Sequence, residues 1–310
     1  MAGIRHFFKK IKPLAWMVCA MGFYLSKIPH WFFVWHIVAL AFIMRAVDRR
    51  RYKDAKANLD FVYGEQMSEV DKKTLIQTCY KNFAFVLLET IRVPFIPLDK
   101  HTKRFRFIDE EYILQTLEKD KGAVLISAHY GYWEAMASVL PPRYHWCNMA
   151  SLGRLTQFGA INELIIQRRE MQNVKFIDKK GAFKHLLKLY GAENALAGIL
   201  VDQNISESEG VWVEFFGKKA THTTIASVLS RRFNVGIVPV MIEIKENYKS
   251  FEARFYPPIY CKKSENSTQD ILETTQAQAD AIEKAIRAKP QDWFWFHKRF
   301  KSAYQEIYTH

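Results

Sequence analysis

Hydrophobic and polar positions change period twice along the chain. Residues 14–25 and 31–47 are nearly unbroken apolar runs, separated by Ser26-Lys27-Ile28-Pro29-His30. Over 68–92 the apolar positions recur at helical spacing behind Ser68, an N-cap residue type, and Pro94 and Pro97 end the pattern, so a supporting helix is predicted there. From residue 123 onward short apolar runs alternate with amphipathic segments: strand 123–128, helix 134–140, helix 160–172, strand 196–201, helix 223–234 and strand 237–244. A polar loop at 263–270 precedes a final helix at 271–288. This alternation predicts an α/β fold, a mixed central sheet flanked by helices. In open sheets of this kind ligands gather beyond the carboxyl ends of strands. Both His129 and Asp202 follow a predicted strand directly.

Charge divides the chain into two parts. Residues 1–56 hold eleven Lys or Arg against Asp48 and Asp54, so nine of the thirteen net positive charges sit there. The basic excess is therefore not a groove spread through the fold, and nucleic acid is a poor partner. The two apolar runs are each shorter than the ~20 residues of a full crossing. Residues 1–56 are expected to form an N-terminal anchor, lying in the plane of a membrane or inserted obliquely, with 57–310 as the α/β body. Trp16, Tyr24, Trp31 and Trp35 suit the headgroup layer, and Arg49-Arg50-Arg51 would meet anionic lipid. A helical pair packed only on the protein's own core is the alternative. No cleavable leader is expected, since no small-residue cleavage site follows the apolar region, and the body is expected to be cytoplasmic.

Cys19, Cys79, Cys147 and Cys261 make no C-x-x-C pair, which argues against a zinc site or a disulfide framework. The chain contains no G-x-x-x-x-G-K-[ST], G-x-S-x-G or H-E-x-x-H motif, so neither a metal nor a nucleotide cofactor is expected.

The candidate chemistry lies in AVLISAHYGYWE, residues 123–134. His129 and Glu134 make the one His-x4-acid match in the chain. Residues five apart on a single helix are about 140° apart, so the two meet only if His129 sits in a turn before the helix; Gly131 permits that turn. A carboxylate on one ring nitrogen fixes the tautomer and leaves the other nitrogen to take a proton from an alcohol. A buried histidine satisfied by a nearby acid is the structural alternative.

HYGYWE at 129–134, Val201-Asp202-Gln203, VWVEFFG at 211–217 and PQDWFWFHKRFK at 290–301 together, in that order, resemble the bacterial lipid A biosynthesis acyltransferases, within the wider lysophospholipid acyltransferase superfamily. The resemblance implies a glycerolipid acyltransferase-like fold and transfer of a fatty acyl chain from acyl carrier protein to a hydroxyl of a lipid A precursor. It places the enzyme at the cytoplasmic face of the inner membrane, with His129 as general base and Glu134 as its orienting partner. Arg169 would contact the acceptor phosphate or the reacting oxygen, with Arg168 one step away and Arg154 the weaker candidate; a guanidinium suits anionic oxygens. Backbone N–H groups after Gly131, or an arginine, would stabilise the oxyanion. Asp202, with Gln203, caps the next turn or holds His129 or substrate. Where the family pattern continues with a second acid, this chain has Asn204. Phe215 and Phe216 pack in the core or wall an acyl groove, and residues 293–296 form a C-terminal staple or a second membrane-facing patch. Another glycolipid or phospholipid acceptor, or a non-enzymatic basic membrane-binding protein, are the competing readings.

Overall fold

The computed structural model describes residues 13–153, 174–178 and 181–309. Its scaffold is the helix Glu69–Arg92, capped as the sequence predicts: Ser68 Oγ accepts the Asp71 N–H at 3.1 Å, and the helix gives way to a tight turn at Val93–Phe95, which contains Pro94. Its inner face buries Leu75, Ile76, Cys79, Tyr80, Phe85 and Val86.

The described strands are β1 (Phe105–Ile108), β2 (Gly122–Ser127), β3 (Asn148–Gly153), β4 (Val174–Asp178), β5 (Ala195–Leu200), β6 (Gly210–Phe215), β7 (Lys218–Thr223), β8 (Gly236–Lys245) and β9 (Ser250–Phe255). Seven form one sheet in the order β1-β9-β8-β2-β5-β3-β4. All neighbours run parallel except β8 and β9, which gives the expected mixed sheet. The predicted strands are the three adjacent central ones, β8, β2 and β5, and every residue of β2 is buried, as a strand covered on both faces must be. β6 and β7 form a separate hairpin turning at Phe216 and Gly217, both with positive φ. Such a turn matches strand twist, but its left-handed geometry is unusual for a bulky residue such as Phe216.

The predicted helices are found with shifted ends. Thr223 Oγ1 accepts the Ile225 N–H at 3.4 Å where the helix Ile225–Phe233 begins. The last helix starts four residues earlier than its apolar pattern suggests, at Ser267–Ala288, because Asn266 accepts the Gln269 N–H and caps it. The segment after Gly131 opens as a tight turn, Trp133–Ala135, before becoming the helix Met136–Arg143. The predicted helix 160–172 lies outside the described residues.

At the N-terminus the helices Pro13–Lys27 and His30–Val47 pack against Glu69–Arg92. Phe33, Ile37 and Ala41, spaced four apart, form the buried stripe of the second helix. Its other faces leave Trp31, Trp35, Phe42, Ile43 and Val47 exposed, and Trp16, Met17 and Phe23 extend that apolar surface on the first. By length and composition His30–Val47 alone among the described helices could cross a membrane. The boundary expected at 56/57 falls inside a continuous helix, Arg49–Tyr63.

One glycine is dictated by this packing. Gly131 has φ of +55°, and a Cβ there would lie 1.9 Å from the Ile242 carbonyl oxygen. Gly131→Ala combines a left-handed backbone with a backbone clash and is expected to cost at least about 3 kcal/mol. A lowered urea midpoint for the purified variant, measured against wild type in the same detergent, is the check.

Candidate active site

Strand register assembles the site. β2 and β5 are parallel neighbours with Ser127 opposite Leu200, so the residues two positions beyond each strand, His129 and Asp202, emerge side by side. The His129 Nδ1 lies 2.8 Å from Asp202 Oδ1, and the His129 backbone N–H donates to Oδ2 at 2.9 Å. Trp293 Nε1–H donates to the same Oδ2, also at 2.9 Å. Asp202 is completely buried. Burial pushes its carboxyl up, but the positive charge of His129 and these N–H donors outweigh burial and hold it far below the usual carboxylate range.

With an ionised carboxylate on Nδ1, the neutral imidazole carries its proton there and presents the Nε2 lone pair outward. Gln203 Nε2 is 3.5 Å from that atom. Around the ring stand Trp133, Phe294 and His297, the last edge-on with centroids 4.6 Å apart. Burial, then the nearby charge of His129, pushes His297 down to about 3, so it stays neutral at physiological pH. His129, Asp202 and His297 bring three donor atoms within 4.8 Å of one another. Both Asp202 oxygens are already engaged by N–H groups, which a cation would have to displace, so the arrangement fits proton transfer better than metal coordination.

A second buried charge balances the first. Arg299 is fully buried and donates to the carbonyls of Gln203 (3.1 Å) and Thr221, with His222 Nδ1 at 3.2 Å from its Nη2. Burial lowers it to about 10, where it remains a cation, and Asp202 is the carboxylate that most stabilises it. His222, fully buried beside Arg299, is pushed down to about 3 by burial and by the charge of Arg299.

The carboxylate on one ring nitrogen, Nδ1, is Asp202. Glu134 lies half-buried in the turn Trp133–Ala135. Of the two readings left open for Asp202, holding His129 is what the geometry displays. Backbone N–H groups at the start of the corner are already committed: Tyr130 to Ala128, Gly131 to Asp292, Tyr132 to Ile242 and Ala135 to Tyr132. Phe215 and Phe216 are buried against Trp293, with ring centroids 5.8 and 6.3 Å away, so they support the indole that grips Asp202 from behind. Residues 293–296 are likewise buried, a staple and not a surface patch. Arg154, Arg168 and Arg169 lie outside the described residues. Sequence spacing signals neither His297 nor the Trp293 indole: His297 meets His129 across 168 positions, and the indole meets Asp202 across 91.

Beside Gln203 opens a cavity of about 730 Å³ whose walls include Leu152, Ile199, Leu200, Val201, Ile205 and Ile225. Gln203 joins this largely apolar cavity, which also carries Asp178 and Glu209, to His129, and an oriented imidazole so placed is suited to a hydroxyl attacking a group attached to a hydrocarbon chain.

Residues 3–302 match the family of bacterial lipid A biosynthesis acyltransferases. The chain belongs to that family. It is thus an acyltransferase. It is 24% identical over 261 residues, 82% of this chain and 80% of the relative, to the lipid A biosynthesis lauroyltransferase of Escherichia coli strain K12. It is 21% identical over 241 residues (77% and 76%) to a phosphatidylinositol mannoside acyltransferase of Mycolicibacterium smegmatis, and 20% identical over 269 residues (82% and 80%) to the lipid A biosynthesis palmitoleoyltransferase of E. coli K12.

The acyltransferase's buried histidines set an acid limit. His222 and His297 titrate at about 3 and His101 at about 4 in the folded state, against about 6.5 when unfolded. Between those values the unfolded chain binds more protons, so stability falls as pH drops below about 6.5 and keeps falling to about 3. Unfolding midpoints measured across that range should decline steadily, and a flat profile would contradict neutral burial of these rings.

Proposed function

We propose that this acyltransferase moves a fatty acyl chain from the thioester of acyl carrier protein to a hydroxyl of a lipid A precursor, at the cytoplasmic face of the inner membrane. The observation that carries this reading is the His129 Nδ1–Asp202 hydrogen bond beside an aliphatic cavity. His129 Nε2 removes the hydroxyl proton as the oxygen attacks the thioester carbonyl. The tetrahedral intermediate collapses with loss of the carrier thiolate, which takes the proton back from the imidazolium, so ester and thiol leave a neutral base. Asp202 orients the ring and stabilises the imidazolium; a positioned base of this kind contributes roughly 100- to 10,000-fold. The acyl chain lies in the cavity walled by Ile199, Leu200 and Ile225. Glu134, which the family motif pairs with the histidine, stays a candidate for the same site, acting from the turn and not through Nδ1.

The lauroyl- and palmitoleoyltransferase relatives support a lipid A acceptor and a fatty acyl chain as the transferred group. Exposed aromatics at Trp16, Trp31 and Trp35 support the membrane location. Because the Phe33 stripe is docked on a long helix that also bears exposed polar residues, His30–Val47 lies in the interface plane and does not span.

Transfer from a panel of acyl carrier protein thioesters to a defined lipid A precursor, with products weighed by mass spectrometry, tests the reading. His129→Ala should lose at least about 100-fold in kcat while remaining folded. Asp202→Asn should fall comparably, and further than Glu134→Gln if Nδ1 is the controlling contact. Near-normal turnover of His129→Ala would end the assignment. Acylation of a mannosylated phosphoinositide in place of the lipid A precursor would move the acceptor to the class named by the mycobacterial relative.

A further inference from the structure

A second cavity, of about 480 Å³, opens where the turn between the two N-terminal helices meets the end of the long helix and the β8–β9 connection. Five cations line it: Lys27, Arg92, Lys100, Arg104 and Lys249. The two lining arginines form its floor and share one fully buried carboxylate behind them, Glu89; Arg92 Nη1 donates to Oε2 at 3.1 Å and Arg104 Nη1 to Oε1. The two arginine side chains are only 13% and 18% exposed. One negative charge between two positive ones leaves a net positive floor, and burying such an excess is costly unless an anion completes it.

The bonding of the pair is asymmetric. Arg104 is anchored, donating also to the carbonyls of Tyr248 and Lys249 at 3.0 Å. Arg92 lies over the Phe33 ring, and its buried Nε has no hydrogen-bond acceptor among the described residues. On the rim, Lys27, Lys100 and Lys249 pair with no carboxylate among the described residues; the neighbouring Asp99 reaches Lys103 instead. His30 beside them is held below its ordinary pKa by burial and by the charges of Lys249, Arg92 and Arg104.

The rim is continuous with the apolar surface, through Phe23, Tyr24 and Trp31, the last 72% exposed. A cavity at the edge of such a surface lies at headgroup depth when that surface enters a bilayer. The basic trio at 49–51 stands at the far end of His30–Val47, roughly 27 Å away for 18 residues, so the two cationic groups bracket the in-plane helix.

We propose that this cavity is a binding site for the phosphate of an anionic bilayer phospholipid, which fixes the orientation of the enzyme on the membrane independently of its acceptor. Arg92 and Arg104 supply fork-shaped donors on the floor, and the three lysines close over the phosphate as point charges.

The test uses the full chain and co-sedimentation with phosphatidylcholine vesicles with or without phosphatidylglycerol. The Lys27→Ala/Lys100→Ala/Lys249→Ala variant spares the buried Glu89 pair, so an unchanged thermal midpoint is expected. Its affinity for phosphatidylglycerol vesicles should drop on the order of 100-fold, with binding to pure phosphatidylcholine unaltered. A control with the same loss of charge elsewhere, Lys188→Ala/Lys262→Ala/Lys263→Ala, should bind nearly as wild type. Equal loss in both variants would replace the site with diffuse attraction and overturn the proposal. Unaltered vesicle binding with a raised KM for the acyl acceptor would assign the cavity to the acceptor's phosphate and overturn it equally. Vesicle binding requires no turnover, so His129→Ala should bind like wild type whatever becomes of the proposed reaction.

Discussion

A carboxylate enclosed between the ends of two parallel strands governs how the rest of this molecule is arranged. Taking Asp202 out of water costs several kcal/mol unless its charge is matched and its lone pairs are filled. The chain does both with residues drawn from distant segments. His129 supplies two donors from the neighbouring strand, and Trp293 supplies a third from the C-terminal segment. Arg299 supplies the balancing cation and pins the backbone at Gln203. The aromatic wall of Phe215, Phe216 and Trp295 fixes the indole in turn. Even the left-handed backbone at Phe216 is explained by this wall, because the turn directs its ring onto Trp293.

The same chain of support reaches the membrane-facing end. Asn82, midway along the helix Glu69–Arg92, donates to Gln291 and Asp292, just before Trp293. One helical turn from its C-terminus Glu89 receives Arg92 and Arg104, while its flank receives the two N-terminal helices. A helix of 24 residues spans roughly 36 Å. One rigid element therefore links the apolar, cation-edged surface to the segment that holds Asp202, and the proposed base keeps a fixed height relative to that surface.

What the sequence disclosed follows from burial. β2, β5 and β8 are covered on both faces and read as continuous apolar runs, so the centre of the sheet was legible. β1, β3, β4 and β9 alternate or carry polar residues, such as Arg106, Lys175 and Arg254, and their short patterns do not stand out from loops. Local signals performed well where the physics is local: the Ser68 cap, the proline stop after Arg92 and the requirement for glycine at 131. His129 was visible because a strand, a turn and an acid surround it within twelve residues. That Asp202 also holds it follows from the register of β2 against β5, which no local pattern encodes. The arginines weighed for substrate contact fall at 154, 168 and 169, beyond the described residues.

Asp202 and Glu134 are not equivalent supports for an imidazole, and the difference lies in what each is attached to. Glu134 stands five positions along the same corner, so its placement is set by the local turn Trp133–Ala135. Asp202 comes from the next strand and binds His129 twice, at the backbone N–H and at Nδ1, closing a ring of hydrogen bonds around the side-chain torsions. With the carboxylate itself clamped by Trp293, the imidazole loses its rotational freedom during folding and not at each encounter with substrate. Orientation of the proposed base is in this way inherited from sheet register, the most rigid feature the fold possesses.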